Sequence, residues 1–130
     1  MKETANMKRK KILVIDDEVD LVDLVKIRLE VDNYYVMPLY TSTRALEIAK
    51  REKPDLILLD VMMPDKDGYE VCKELKADRE TKSIPVVMLT AKEQQKPRIK
   101  DVSQATGADG YIFKPFEPAE LLLKIKSLIG

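Results

Sequence analysis

Acidic, hydroxyl and basic side chains stand at the ends of four apolar runs in this sequence of 130 residues. Asp16 and Asp17 follow the first run, Asp60 the second, Thr90 the third and Lys114 the fourth. Short apolar runs bounded by turn residues are typical of strands buried in a parallel sheet. If these strands are parallel neighbours, their polar ends meet at one edge of the sheet, where ligands bind in open α/β folds.

Three carboxylates at one edge would need a compensating charge. Two like charges about 4 Å apart repel by about 4 kcal/mol at an effective dielectric near 20. Mg²⁺ suits such a site, because it accepts a few protein oxygens and keeps several waters. Lys114 adds a fixed cation and Thr90 a hydroxyl, which together would make a phosphate-sized site. An aspartate such as Asp60 can accept a phosphoryl group as an acyl phosphate.

Simpler roles for the same residues stay open at this point. Asp60 could be a strand-end or helix-capping acid, and Asp16 or Asp17 could cap the helix that follows the first strand. Lys114 could extend from a strand end into water, as lysines often do.

Strands and helices are predicted to alternate along the chain, which favours a doubly wound α/β sheet. The predicted strands are Lys11–Ile15, Tyr34–Leu39, Leu56–Asp60, a fourth opening at Pro85 and a fifth from Gly110 to Phe113. The predicted helices are Val19–Val31, one ending at Lys50, Gly68–Asp78, Lys92–Thr106 with Pro97 in its first turn, and one opening at Pro118.

Particular residues predict details of these elements. Pro38 inside the second strand indicates a strand at the edge of the sheet, because proline cannot donate to the ladder. Ser42 or Thr41 is expected to cap the second helix. Cys72 lies at helical spacing with apolar neighbours, which favours a core position over a reactive thiol. The predicted inward face of the first helix is Leu21, Leu24, Val25 and Leu29.

Composition narrows the class of protein. The 23 basic residues balance the 23 acidic ones, so no global basic field is available to hold nucleic acid. No apolar run is long enough for a membrane span or a signal peptide. One cysteine and no histidine exclude a disulfide framework and a Cys/His zinc site. We therefore expect a cytoplasmic protein with a flexible tail at residues 1–9 and one domain at residues 10–130.

Four motifs, taken in order, resemble a response-regulator receiver domain of two-component phosphorelay systems. The resemblance covers Lys10 to Ile129 and implies a flavodoxin-like, five-stranded parallel sheet of order 2-1-3-4-5 with five helices. The motifs are Ile12–Glu18, Asp55–Gly68, Pro85–Ala91 and Gly107–Phe116.

The resemblance also implies a phosphoacceptor and a magnesium site. Asp60 would accept a phosphoryl group from a phosphohistidine on a sensor histidine kinase or a phosphotransfer protein. Asp17, Asp60 and the backbone carbonyl of Met62 would ligate Mg²⁺, with Asp16 acting through a bound water. The protein would assist its own phosphorylation and dephosphorylation and would not be an enzyme that turns over a substrate.

Three further positions would form the switch that the resemblance implies. Lys114 would pair with the phosphate, and a cis peptide would join it to Pro115. Thr90 would move to hydrogen-bond the phosphate while Tyr111 turns inward. The signal would pass to a downstream protein or an attached output domain. The span from Thr90 to Gly107 departs from the family pattern, because it is longer and contains Pro97.

Two other classes of protein compete with this interpretation. A magnesium-dependent phosphatase would need a second aspartate two residues after its nucleophile, and Met62 stands there instead. A flavin- or nucleotide-binding module would need a glycine-rich loop after the first strand, where this chain has acids. We expect no DNA-binding domain after the last helix. We therefore expect either a free-standing regulator or a receiver cut from a longer protein.

Overall fold

The computed structural model describes residues 9–91 and 106–130. Apart from Arg9 and Thr106, the predicted flexible tail and the predicted helix Lys92–Thr106 lie outside these residues. Strands and helices alternate as the sequence predicts, with five strands and four helices in the described ranges. In chain order they are β1 Lys11–Ile15, α1 Val19–Val31, β2 Tyr35–Leu39, α2 Ala45–Glu52, β3 Leu56–Asp60, α3 Gly68–Ala77, β4 Val86–Ala91, β5 Gly110–Lys114 and α4 Pro118–Ile129.

The strands form one parallel sheet of order β2-β1-β3-β4-β5, which confirms the predicted fold class. The strand order reverses between β1 and β3, so a crevice opens beyond their carboxyl ends. Among the strands of the described residues, β2 is an edge strand that pairs with β1 alone, so the missing amide of Pro38 costs the sheet little. β2 begins one residue later than predicted, because the Tyr34 amide donates to the Leu29 carbonyl at the end of α1.

Each face of the sheet carries its own apolar core. Helices α1 and α4 cover one face, where Val14, Leu58 and Ile112 are buried. Helices α2 and α3 cover the other face. Because side chains alternate along a strand, the residue two positions further on lies on the same side. At those positions stand Asp16, Asp60 and Lys114.

The prediction for the inward face of α1 was wrong at one position. Leu24 is 67% exposed, whereas Val22, Val25 and Leu29 are buried. The buried residues lie at i, i+3 and i+7, which defines the stripe that faces the sheet. Leu24 lies outside that stripe.

The predicted cap of the second helix was also wrong. Helix α2 begins at Ala45, and the residue at its N-cap position, Arg44, makes no side-chain capping bond. The hydroxyls of Thr41 and Ser42 instead bind the carboxylate of Asp65, in the loop that follows β3. These two hydroxyls therefore bond a distant carboxylate and do not cap the amides at the start of α2.

Candidate functional site at the carboxyl edge of the sheet

Three carboxylates meet where β1 and β3 end. Asp16, Asp17 and Asp60 each offer an oxygen, and these oxygens lie within 4.8 Å of one another. Asp16 is completely buried and Asp60 is 5% exposed, whereas Asp17 is open to solvent. The structure thus brings together the three acids that the sequence singles out.

Asp16 is fixed from two sides. Its amide donates to the Leu39 carbonyl of β2 at 3.1 Å, and its Oδ1 accepts the Glu18 amide at 2.9 Å. Glu18 occupies the N-cap position of α1 without a side-chain capping bond. Asp16 therefore shapes the turn into α1 while its other oxygen faces the cluster.

Asp60 is the last residue of β3, and its charge is poorly compensated. Burial and the negative charge of Asp16 raise the pKa of Asp60 from 3.8 to about 6, although Lys114 and the Met62 amide act in the opposite direction. Burial also raises the pKa of Asp16. The cluster therefore favours any cation that can enter it.

Lys114 reaches into this cluster from the end of β5. Its Nζ lies 2.9 Å from Asp16 Oδ2, 2.8 Å from Glu18 Oε1 and 3.2 Å from Asp60 Oδ1. Burial alone would lower the pKa of Lys114, but hydrogen bonds to Glu18 and Asp16 outweigh it and raise that pKa above its ordinary value. The side chain is only 19% exposed, so Lys114 does not simply extend into water. The Lys114–Pro115 peptide is cis.

The donor set fits a magnesium ion. All three acidic groups supply oxygen, which hard divalent cations prefer, and exposed Asp17 leaves room for bound waters. Among residues 9–91 and 106–130, this is the one group of three or more acidic, histidine or cysteine side chains that close to one another. An open cleft at the site is lined by Asp17, Glu18, Asp60, Met62, Ala91 and Lys114.

Thr90 and Tyr111 lie on the side of the sheet that α2 and α3 cover, and neither is among the residues that line this cleft. Asp60 pairs with Leu89, so Thr90 is one residue further along the neighbouring strand. Thr90 is buried, and its hydroxyl lies 3.4 Å from the Ala91 carbonyl. Tyr111 pairs with Met88 and packs against the same core. Strand alternation places Thr90 and Tyr111 on one face, but their movement remains a prediction.

Gly68, at the start of α3, has a role at the site that sequence reasoning missed. A Cβ on this residue would lie 2.2 Å from the Asp60 carbonyl oxygen and 2.8 Å from the Val61 Cα. The Gly68 amide donates to the Val61 carbonyl at 2.9 Å, which draws the helix start against the end of β3. Only a residue without a side chain fits there. The available signal was a glycine directly after Asp67, which caps α3 by accepting the Tyr69 amide.

Asp65 is a second residue that was missed. Its carboxylate accepts hydrogen bonds from the Thr41 hydroxyl, from the Ser42 amide and hydroxyl at 2.9 and 2.8 Å, and from the Thr43 amide at 2.9 Å. Desolvation would raise the pKa of Asp65, but these bonds outweigh it and hold that pKa well below its usual range. Asp65 therefore ties the loop after β3, which carries Met62, to the loop after β2.

Comparison with known proteins agrees with this architecture. The family model of the response regulator receiver domain matches residues 12–126. A probable transcriptional regulator, ycf27 of Porphyridium aerugineum, is 44% identical over 123 residues, covering 95% of this chain and 49% of the relative. The chain therefore belongs to the response regulator receiver domain family. It spans about half the length of the curated relatives it matches.

Solved structures give the same fold. The chemotaxis protein CheY4 of Vibrio cholerae has a TM-score of 0.86 at 30% identity, covering 93% of this chain and 99% of that one. The receiver domain of the sensor histidine kinase PA1611 of Pseudomonas aeruginosa PAO1 has a TM-score of 0.83 at 28% identity, with 94% and 98% covered. That structure has a magnesium ion coordinated in the active site cleft. In the part of the present chain that the structure describes, no helix is long and apolar enough to cross a membrane.

Proposed function

We propose that this receiver domain accepts a phosphoryl group on Asp60 from a phosphohistidine of a sensor histidine kinase or a phosphotransfer protein. The observation that supports this most strongly is the setting of Asp60. It is a buried carboxylate at the switch point of the sheet, within reach of Lys114 and of two further acids. Of these acids, only Asp60 ends the central strand of the sheet.

The chemistry is a transfer between two nucleophiles. A carboxylate oxygen of Asp60 forms the new O–P bond as the P–N bond to the donor histidine breaks, and the histidine nitrogen leaves with the electron pair of that bond. Lys114 donates to a phosphoryl oxygen and offsets its charge. Asp17, Asp60 and the Met62 carbonyl would hold Mg²⁺, with Asp16 acting through a water. The ion supplies positive charge for the equatorial oxygens.

The phosphoryl group stays on the chain, so the domain works as a switch and not as an enzyme with turnover. It would assist its own magnesium-dependent phosphorylation and the later hydrolysis of the acyl phosphate. Thr90 would bond the phosphoryl oxygen, and Tyr111 would follow toward the core. The conformational change would be transmitted to a downstream protein or an attached output domain. The similarity to a probable transcriptional regulator supports this part of the proposal. A cytoplasmic location is part of the proposal.

Incubation with Mg²⁺ and a small phosphodonor, followed by mass spectrometry, tests this function. The parent protein should gain one phosphoryl group located on Asp60, and Asp60→Asn should gain none. Asp23→Asn, a matched change at an exposed residue of α1, should label like the parent. Stoichiometric labelling of Asp60→Asn would disprove the assignment. Continuous release of phosphate from small phosphate esters would instead favour a phosphatase.

A further inference from the structure

The ammonium of Lys114 is already hydrogen-bonded to two carboxylates, those of Asp16 and Glu18. It carries three N–H groups and lies within 3.2 Å of three carboxylates, those of Asp16, Glu18 and Asp60. The contact with Glu18, at 2.8 Å, is the shortest of the three. A phosphoryl oxygen on Asp60 would therefore compete with Asp16 and Glu18 for the Lys114 ammonium.

The three partners differ in what their release would cost. Asp16 is completely buried, and without Lys114 its Oδ2 would lose a charged partner inside the protein. A buried carboxylate without a partner is strongly unfavourable. The side chain of Glu18 is 62% exposed, so water can replace Lys114 at little cost. Asp60 is itself the group that would carry the phosphoryl group.

Glu18 lines the same cleft but does not belong to the acidic cluster that would hold the metal. The acidic oxygens that come within 4.8 Å of one another belong to Asp16, Asp17 and Asp60, and Glu18 is not in that set. Within residues 9–91 and 106–130, the Glu18 carboxylate contacts the Lys114 ammonium at 2.8 Å. A change at Glu18 therefore acts first on the position of the lysine ammonium.

We propose that Glu18 is the exchangeable partner of Lys114, which holds the ammonium in the resting state and releases it to the phosphoryl group. Glu18 is thus a positioning residue that opposes phosphorylation of this site. The inference rests on the proposed acceptance of a phosphoryl group by Asp60, and it adds a residue that sets how strongly the site holds that group.

Binding of beryllofluoride, a phosphoryl mimic, at saturating Mg²⁺ tests the exchange. Exposed ion pairs contribute a few tenths to about 1 kcal/mol, which corresponds to about a 1.5- to fivefold change in a dissociation constant. Glu18→Gln removes the competing charge, so the dissociation constant for beryllofluoride, followed by backbone amide shifts, should fall by about that factor. The Lys114 ammonium resonance of the variant should already be shifted before the mimic is added.

Two control variants separate the contact from the general effect of charge. Glu18→Asp keeps the charge but shortens the side chain, so it too should bind beryllofluoride more tightly than the parent. Asp20→Asn removes an exposed charge two residues away, and it should bind like the parent. If Asp20→Asn gained as much affinity as Glu18→Gln while Glu18→Asp gained none, charge alone would explain the result and the proposal would be overturned.

The parent protein shows whether the underlying function or only this inference fails. A parent that neither binds beryllofluoride nor takes a phosphoryl group would remove the proposed function itself. A parent that binds the mimic with the same affinity as Glu18→Gln would leave that function in place and refute the role of Glu18 alone.

Discussion

Replacing Asp60 with asparagine should stabilise the metal-free protein at neutral pH, although it removes the proposed phosphoacceptor. The Asp60 carboxylate is buried, and an oxygen of buried Asp16 lies within 4.8 Å of it. Burial and Asp16 raise the pKa of Asp60 from 3.8 to about 6, despite the contact with Lys114. The ionised carboxylate is therefore less favourable in the folded chain than in the unfolded one.

The direction and size of the effect follow from that pKa difference. Because the folded chain keeps this proton to a higher pH, stability falls as the pH rises between about 4 and about 6, and the full loss is present above that range. A pKa difference of about 2 corresponds to about 3 kcal/mol. We expect Asp60→Asn to recover about 1.5 to 3 kcal/mol, because its amide is a poorer acceptor for Lys114.

Thermal unfolding in the presence of a chelator measures this gain. For a chain of this size the midpoint of Asp60→Asn should exceed that of the parent by about 5 to 12 °C at about pH 7.5. At about pH 4.5 the free-energy gap should shrink to about a third, since the carboxyl group is then almost fully protonated in the folded chain and mostly ionised in the unfolded one. Asp23→Asn controls for the loss of one negative charge. A gap that stayed constant with pH, or a less stable Asp60→Asn, would refute the electrostatic reasoning.

Two other substitutions probe the loop that follows β3. Gly68→Ala should lower the free energy of unfolding by about 1 to 3 kcal/mol, because its Cβ would meet the backbone at the end of β3. Urea unfolding measures this loss, and an unchanged free energy of unfolding would contradict the steric argument. Asp65→Asn should cost about 1 to 2 kcal/mol at neutral pH, because it loses acceptors for Thr41 and Ser42. The pKa of Asp65 is depressed by folding, so this difference should shrink as the pH falls below about 4, and a pH-independent cost would contradict the assignment.

The acid cluster could be predicted from the sequence because the alternation of apolar runs and helical segments shows where each strand ends. A parallel sheet brings the carboxyl ends of its strands to one edge, so residues distant in sequence must converge there. Asp16 and Lys114 are 98 positions apart, yet their side chains meet at 2.9 Å. Strand alternation then selects which residues share a face. The family resemblance supplied the strand order and the roles, which periodicity alone does not contain.

The missed features depend on tertiary partners of single side chains. Thr41 and Ser42 resemble helix caps in sequence, but Asp65 lies 24 and 23 positions away and binds their hydroxyls instead. Leu24 is exposed because the apolar stripe of α1 that meets the sheet does not include it. From the sequence alone, Leu24 fits the helical spacing as well as its buried neighbour Val25 does. In the sequence, Glu18 is an ordinary acid at the start of a helix. Its contact with Lys114 depends on the placement of β5, which the local sequence around Glu18 does not contain.

The same arrangement that costs stability gives the proposed site its means of signalling. In the resting state one ammonium is shared among three carboxylates, and a fourth, Asp17, stands beside them. Phosphorylation of Asp60 would add a negative charge to a cluster already short of positive charge, so the bonds of Lys114 must be redistributed. Lys114 ends β5, and Tyr111 lies three residues earlier in that strand. A shift of the ammonium would therefore act on the strand that carries the proposed switch tyrosine.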